Sequence, residues 1–569
     1  MCGIFSIINN NNPNLSVLEN EFNKGQHRGP ENSSISLVSI NTIFGFHRLA
    51  INGLNEISNQ PIIINNIILI CNGEIYNYKE LYKLMNIVPT TNSDCEVIIH
   101  LYSKYGIQQT LTMLDGVFAF VLCDNNINTD TTENIYIARD PYGVRPLYKC
   151  TLNEMFGVAS EVKMLNNLST DMVVEHFEPG TFMKFTLDMI NPKWISTYQH
   201  VKYHIPSIST LLYNNNENII YQGIQYYLKN AVKKRYINTD RPIACLLSGG
   251  LDSSLITALV NEEHNKKTTT NVLSKNRLET YSIGLVGSDD LLNARIVADY
   301  LGTNHTEIII TEQDICDIIK EVIYNIESYD TTTIRASICN YLLGKYIKNN
   351  SDAKVIFNGD GSDELCGGYL YMDACPDPIE FDKETRRLLN DIHRYDVLRS
   401  DKCISSHGLE PRTPFLDKAF VDFYLSIPCE LRFNSHKKIE KYLLRKSFSN
   451  SQFRNYLQKP LLPDNILWRK KEAFSDGVSK HNRSLFVIVQ EFIASKYNAS
   501  TTPSVELEKK YYKEVFDESY PNTNILSYLW LPRYTLSTDP SARTLHNYVK
   551  KEFDMDLLNE DHSINYNAY

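Results

Sequence analysis

The hydrophobic pattern changes its period part-way along the chain, and no single sheet or helical bundle accommodates both halves. Up to about residue 190, apolar residues fall in short strand-like runs joined by turns: CGIFSII, TIFGFHRLAI, IIILICNG, GVFAFVLCD and IYIARD. One helix interrupts them, DCEVIIHLYSKYG (94–106), with Val97, Leu101 and Tyr105 on one face and a terminal Gly. Strands carrying a few helices predict a layered α+β domain. DNNINTDTTEN (124–134) reads as an exposed hairpin tip, and 196–218 shows no sustained period.

Beyond that point strands and helices alternate. PIACLL (242–247) is followed by a helix with Leu255/Leu259 and Ile256/Val260 pairs, then by LETYSIGL, DDLLNARIVADYLG and HTEIII. EQDICDIIKEVIYNIESY carries Ile315, Ile318, Ile319 and Val322 on one stripe, and KVIF (354–357) is the next strand. This order predicts a parallel sheet with ligands at the carboxyl ends of its strands. The C-terminal third is mostly helical in pattern. With 569 residues to fold, the expected division is a domain over 2–195, a linker over 196–218, a second domain over 219–550 and a polar tail over 551–569.

The formal net charge of −10 argues against a nucleic-acid partner. PIIINNIILI (61–70) is too short to span a bilayer, so no membrane association is expected. No charged segment followed by an apolar run marks a signal peptide. Twelve cysteines without any C-x-x-C suggest neither a zinc site nor a redox motif, and the compartment reads as cytoplasmic.

LLSGGLDSS (246–254) sits between a strand and a helix. Gly249 and Gly250 let the backbone turn its N–H groups outward. Ser248, Ser253 and Ser254 add hydroxyls, and the helix N-terminus adds its positive dipole end. Together they form a phosphate cradle. It is not a Walker A loop, because G-K-[ST] is missing. Asp252 adds negative charge, which makes sense if Mg²⁺ sits between it and the phosphates. The loop resembles the pyrophosphate-binding loop of the ATP pyrophosphatases, which adenylate a substrate. FNGDGSDELCGGY (357–369) is a second such loop, with Asp363 as the second metal carboxylate and Asp360 close by.

These loops, together with ESYDTTTIRAS (327–337), HGLEPRTPFLD (407–417), KEAFSDG (471–477) and TDPSART (538–544), resemble those of the glutamine-hydrolysing asparagine synthetases. The N-terminal half adds MCGIF, HRGP (27–30), GFHRLAI (45–51), NGEIYN (72–77), RDPYGVRPLYK (139–149) and SEVK (160–163). The match runs in order from Met1 to about Val549. It implies an N-terminal-nucleophile glutaminase sandwich joined to an ATP pyrophosphatase synthetase domain. The substrates implied are glutamine, aspartate and ATP, with Mg²⁺, and the products asparagine, glutamate, AMP and pyrophosphate. Oligomeric state stays open, a homodimer among the options.

The resemblance also assigns roles. Cys2 would be the nucleophile once Met1 is removed, its own α-amine serving as base; such amines titrate near about 8 in model peptides. Asn72 and the Gly73 N–H would form the oxyanion hole. Arg48, with Leu49, Ala50, Ile51 and Asn52, would line the glutamine pocket, and Glu74 and Asp94 would meet the substrate ammonium. Leu246, Ile283, Asn358 and Gly359 would contact the nucleotide, Asp252 and Asp363 would hold Mg²⁺, and Lys471 would neutralise the phosphates. Arg412 is a further candidate of that sign. Asp360 stands where the family often has Glu, one C–C bond of about 1.5 Å shorter, at the position linked to forming and resolving the aspartyl adenylate. His27 and His47 read as structural. Two other readings remain: amidation or cyclisation of a different carboxylate, as in the related β-lactam synthetases, which lack the N-terminal cysteine, and a non-catalytic descendant.

Overall fold

Two six-stranded antiparallel sheets face each other across the N-terminal half. A computed structural model describes residues 1–10, 15–125, 133–169, 173–208, 216–269, 277–433, 439–480, 483–497, 502–521 and 528–545. The first sheet runs in the order Val173–His176, Tyr148–Leu152, Met155–Ala159, Gly3–Ile8, Thr42–Arg48, Asn32–Ser39. The second runs Lys193–Lys202, Thr181–Asp188, Asn134–Arg139, Gly116–Asp124, Ile67–Ile75, Ile62–Ile64.

Side chains alternate across each strand, and in Gly3–Ile8 and Thr42–Arg48 of the first sheet both faces are buried. Ile4 and Ile8 enter the core between the sheets with Phe44, Ile70, Val121 and Ile137. Phe5 and Ile7 point the other way and pack with Ile323, Ile338 and Leu398 of the C-terminal half. The N-terminal strand is therefore clamped on both sides. The outer face of the second sheet is covered by the helices Tyr78–Met85 and Val97–Met113.

The C-terminal half holds a five-stranded sheet in the order Asn304–Ile310, Glu279–Leu285, Ile243–Leu246, Val355–Phe357, Glu410–Arg412. Every pair in it is parallel. Strand order reverses between Ile243–Leu246 and Val355–Phe357, and such switch points open a crevice at the carboxyl ends. The loops SGGLDSS and NGDGSDE leave from those two strands. No helix among the described residues is long and apolar enough to cross a membrane.

Several local expectations need correction. The helix expected to end at Gly106 runs from Val97 to Met113, with Gly106 at φ 75° as a kink inside it. Burial of Ile107 and Leu111 carries it past the glycine, while Tyr105 is exposed. The stretch read as linker begins as strand: Lys193–Lys202 pairs with Thr181–Asp188 as far as Thr181↔Lys202. Its face is mostly polar, so the sequence shows no period. EQDICDIIKEVIYNIESY forms two helices, Glu312–Asp317 and Ile319–Ile326, with its isoleucine stripe buried in both. Residues 126–132 of the hairpin tip, 209–215 of the linker and the tail 551–569 lie outside the described residues.

Candidate active sites

At the switch point the two Gly-rich loops touch. A Cβ on Gly359 would lie 2.8 Å from the Asp252 backbone and Cβ, so only glycine permits this approach. Leu246, Ser248, Gly250, Asp252, Ser253, Ile283, Asn358, Gly359, Asp360, Asp363 and Lys471 all line one cleft of about 190 Å³. Gly249 does not. It turns away at φ 71°, where a Cβ would strike Asn293 and Ala294, and its part is to make the bend. Ser248 and Ser253 share a 3.0 Å hydrogen bond, and the Ser248 N–H donates to Ser253 Oγ at 3.1 Å, which closes the cradle over the N-terminus of the helix Leu251–Thr269.

The centre of this cleft is ionic. Lys441 Nζ lies 2.6 Å from Asp252 Oδ2 and 2.5 Å from Asp363 Oδ1. Lys471 bonds the other oxygen of Asp363, and the Ser362 hydroxyl donates to Asp252 at 2.8 Å. Burial would raise the Asp363 carboxyl, but the two ammonium groups overcome it and hold the group well below the usual range. Lys441 was not foreseen. It is 1% exposed and sits at φ 57°, a strained backbone for a residue with a side chain. Glu440 keeps the two lysine segments together, for its carboxylate accepts the Lys471 backbone N–H at 2.8 Å.

Among the described residues no group of three His, Cys, Asp or Glu side chains could hold a metal. Two carboxylates that meet one ammonium nevertheless fit Mg²⁺, which characteristically takes one or two carboxylates and completes its shell from phosphate oxygens and water. The Lys441 ammonium marks where positive charge is wanted.

Asp360 accepts a hydrogen bond from Arg399 at 3.0 Å. Arg399 lies on the helix Asp396–Ser405, which grips the second loop at three points. Asp396 accepts the Gly361 N–H at 3.1 Å, and Asn358 donates to the Ser400 hydroxyl at 2.7 Å. Burial pushes the Asp396 carboxyl up to about 6. The same helix reaches the N-terminal half. Arg28 donates to Asp401 at 2.8 Å and to Ser405 at 2.9 Å, and its Nε donates to the Cys2 carbonyl at 2.9 Å.

Cys2 begins the clamped strand, its thiol 3.6 Å from the Leu49 carbonyl. Burial pushes the thiol up to about 11 and pushes the preceding Met1 amine down to about 5. That amine donates to Leu409 O at 3.1 Å, and Met1 is 1% exposed. Asn72 is 1% exposed, and neither its Nδ2 nor its Oδ1 has a hydrogen-bond partner. An orphaned buried amide is costly unless a ligand completes it. On the oxyanion role that the resemblance assigns to it, Asn72→Ala is expected to lower glutamine-dependent kcat by about 10²–10³-fold, the usual loss for one such donor, in assays of glutamate release.

The other residues expected at a glutamine pocket face each other and the second domain. Arg48 donates to the Asn55 carbonyl at 3.0 Å and to Asn59 Oδ1 at 2.7 Å, and it bonds the Gly53 carbonyl, so it shapes the loop after Leu49, Ala50 and Ile51. Asn52 donates to Glu74 at 2.6 Å, and Asp94 accepts the Ile75 N–H at 2.6 Å. Burial raises Glu74 well above its ordinary range, helped by Glu410, and raises Asp94 to about 6. Gly73 packs so tightly on Val117 and Phe118 that a Cβ would come within 2.5 Å.

Arg412 is a correction. It does not line the phosphate cleft but lies 3.2 Å from Glu74 and bonds Glu410 at 2.9 Å, between the domains. Residues i and i+2 of a strand share a face, and Glu410–Arg412 turns both toward the N-terminal half. His47 stacks on Phe22 with ring centroids 3.8 Å apart, and both its nitrogens are engaged, by Ser33 at 2.7 Å and Phe22 O at 2.9 Å. His27 meets Glu161 at 3.1 Å.

Comparison with known proteins matches two family models to the chain. Residues 1–226 match the glutamine amidotransferase domain model, and residues 223–378 and 373–537 match the asparagine synthase model. The chain is 40% identical to the glutamine-hydrolysing asparagine synthetases of Pongo abelii, Gallus gallus and Homo sapiens. Each alignment covers 96% of this chain and 99% of the relative.

Proposed function

From the premise that the chain belongs to the glutamine-hydrolysing asparagine synthetases, we propose that its two sites divide one reaction between Cys2 and the cleft around Asp252 and Asp363. Cys2, freed of Met1, attacks the glutamine side-chain amide. Its amine takes the thiol proton and returns it to the leaving ammonia, while Asn72 and the Gly73 N–H hold the oxyanion. Water then releases glutamate. Arg48 and Asn52 bind the glutamine backbone groups, with Glu74 and Asp94 for its ammonium.

In the cleft, an oxygen of the aspartate side-chain carboxylate attacks the α-phosphorus of ATP, and pyrophosphate leaves. Ammonia then attacks the mixed anhydride, giving asparagine and AMP. Asp252 and Asp363 would hold Mg²⁺, which neutralises phosphate charge when bound. Lys441 and Lys471 move from carboxylate to phosphate partners, and the serines of the cradle bind pyrophosphate oxygens. Asp360, oriented by Arg399, accepts the proton that ammonia loses. The observation that carries this reading is the meeting of Asp252, Asp363, Lys441 and Lys471 at the switch point. All twelve cysteines are free thiols, which supports a reducing, cytoplasmic setting.

The test is pyrophosphate release with ATP, Mg²⁺, glutamine and a panel of carboxylates. Release that requires aspartate and accompanies asparagine is expected; release with another acceptor alone would sink the assignment. Within the same assay, Asp360→Asn should lower ammonia-dependent synthesis by about 10²-fold or more. Asp360→Glu should retain more activity. Full activity in Asp360→Asn would remove the proton acceptor from Asp360.

A further inference from the structure

One large concavity lies apart from both sites. Between the edge of the N-terminal sandwich and the helix Pro378–Asp391 is a cleft of about 710 Å³, within the size range of small-molecule sites, which favour domain boundaries. It shares no lining residue with the phosphate cleft.

Its charge is unbalanced. Lys149, Lys202, Arg386 and Arg394 line it, against only Glu178 and Asp382. Arg386 bonds Asp382 at 2.7 Å, while Lys202 stands 4.0 Å from Glu178 in an exposed rim pair. Lys149 lies 3.3 Å from the half-exposed Glu175. Among the described residues no carboxylate lies within 4.0 Å of Arg394, whose Nε donates to His393 Nε2 at 3.4 Å.

Four histidines complete the polar wall: His176, His200, His204 and His393. His393 is 4% exposed and its Nδ1 donates to the Asn390 carbonyl at 3.0 Å, so Nε2 meets Arg394 as a lone pair. His200 likewise offers Nε2 to Lys149 at 2.9 Å. Arg394 thus leans on a neutral imidazole in place of an acid, and Lys149 meets one beside Glu175. His176 packs edge-to-face on His393 with centroids 5.2 Å apart, and both its ring nitrogens are buried without a partner. Pro141, Pro179, Leu389 and Leu425 supply apolar surface for a carbon skeleton. An anion would supply what the guanidinium, the ammonium groups and the imidazole N–H lack.

We propose that this interdomain cleft is a second ligand site, which takes a small oxyanion bearing two or more negative charges. Phosphates and polycarboxylates share that chemistry, and the experiment separates them. Full-length protein without Mg²⁺ is titrated calorimetrically with citrate in one arm and pyrophosphate in the other. Citrate is expected to bind once per chain and to be weakened about tenfold or more by Arg394→Ala, the usual loss for a charged hydrogen bond. Pyrophosphate is expected to bind twice, once in each cleft, and once in Arg394→Ala. Lys202→Glu, on a lysine 64% exposed at the rim, weakens the same site without touching the core. Asp252→Asn leaves citrate binding unchanged. Loss of the citrate event together with one pyrophosphate event supports a site for oxyanions of both kinds; loss of only one of the two supports the site and names its anion class. Binding of both anions that ignores Arg394→Ala and Lys202→Glu, or no binding of either beyond the phosphate cleft, overturns it.

Discussion

Cys2→Ala is expected to remove glutamine-dependent synthesis, by about 10⁴-fold or more in kcat, while synthesis from free ammonia keeps its rate. The reason lies in what burial does to the two groups at the chain start. Burial disfavours charge, so it raises a thiol and lowers an amine. Here it pushes Cys2 up to about 11 and the adjacent Met1 amine down to about 5. A thiol that stays protonated at neutral pH attacks only when a base takes its proton. An amine that stays neutral at the same pH is such a base. Removing Met1 takes that amine away and frees a new α-amine on Cys2 itself, at the same buried end of the strand, so no histidine is needed. The glutaminase rate should then fall on the acid side as the amine protonates. Parallel assays with glutamine and with ammonium chloride decide the matter. Substantial glutamine-dependent asparagine from the Ala variant, or equal loss with ammonia, would count against the assignment.

The second large effect falls on Lys441. Lys441→Ala should lower aspartate-dependent pyrophosphate release by about 10²–10³-fold, the scale of a lost charge-stabilising group. Glutamine hydrolysis should persist, which separates this from general unfolding. Stability should also drop. Breaking a buried pair from one side costs about 3–5 kcal/mol, because the partner charges stay buried. Asp363 sets the pH sense. Its carboxyl is held below its ordinary value of 3.8, so the ion cluster's stabilisation is complete above that pH. It drains away as pH falls toward the folded value, when the unfolded chain binds the proton first. Denaturant midpoints of wild type and variant should therefore converge in acid. A variant that keeps its pyrophosphate release would show that Lys471 alone serves the phosphates.

How much of this was legible in the sequence depended on whether a residue's role is local. The phosphate cradle is local: strand, two glycines, serines and a helix start follow one another, and all but Gly249 and the buried Ser254 line one cleft. Gly249 reads correctly as a turn residue but not as a wall. Lys441 was hidden inside HKKIEKYLLRK, where it looks like one more solvated lysine. Nothing local announces that its backbone is left-handed or that its ammonium crosses to two loops 78 and 189 residues away. Arg412 was misplaced for the converse reason. Its strand pairs with the strand that feeds the second loop, but strand alternation turns its side chain to the other domain. The polar strand Lys193–Lys202 and the helix past Gly106 were misread because cross-strand pairing and burial at Ile107 and Leu111 outweigh local pattern.

The burial of Met1 sets a schedule. In the folded chain its amine is covered by Leu409, a residue 408 positions away in sequence that folding brings beside it. A peptidase cannot reach a terminus that is 1% exposed. Trimming must therefore precede the closing of the two halves. At about 5–20 residues per second of synthesis, roughly 20–80 s separate the emergence of Met1 from that of Leu409. On the function proposed above, a chain trimmed within that interval gains its glutaminase; one that folds first keeps the amine of Cys2 locked in a peptide bond under methionine and is expected to draw only on free ammonia.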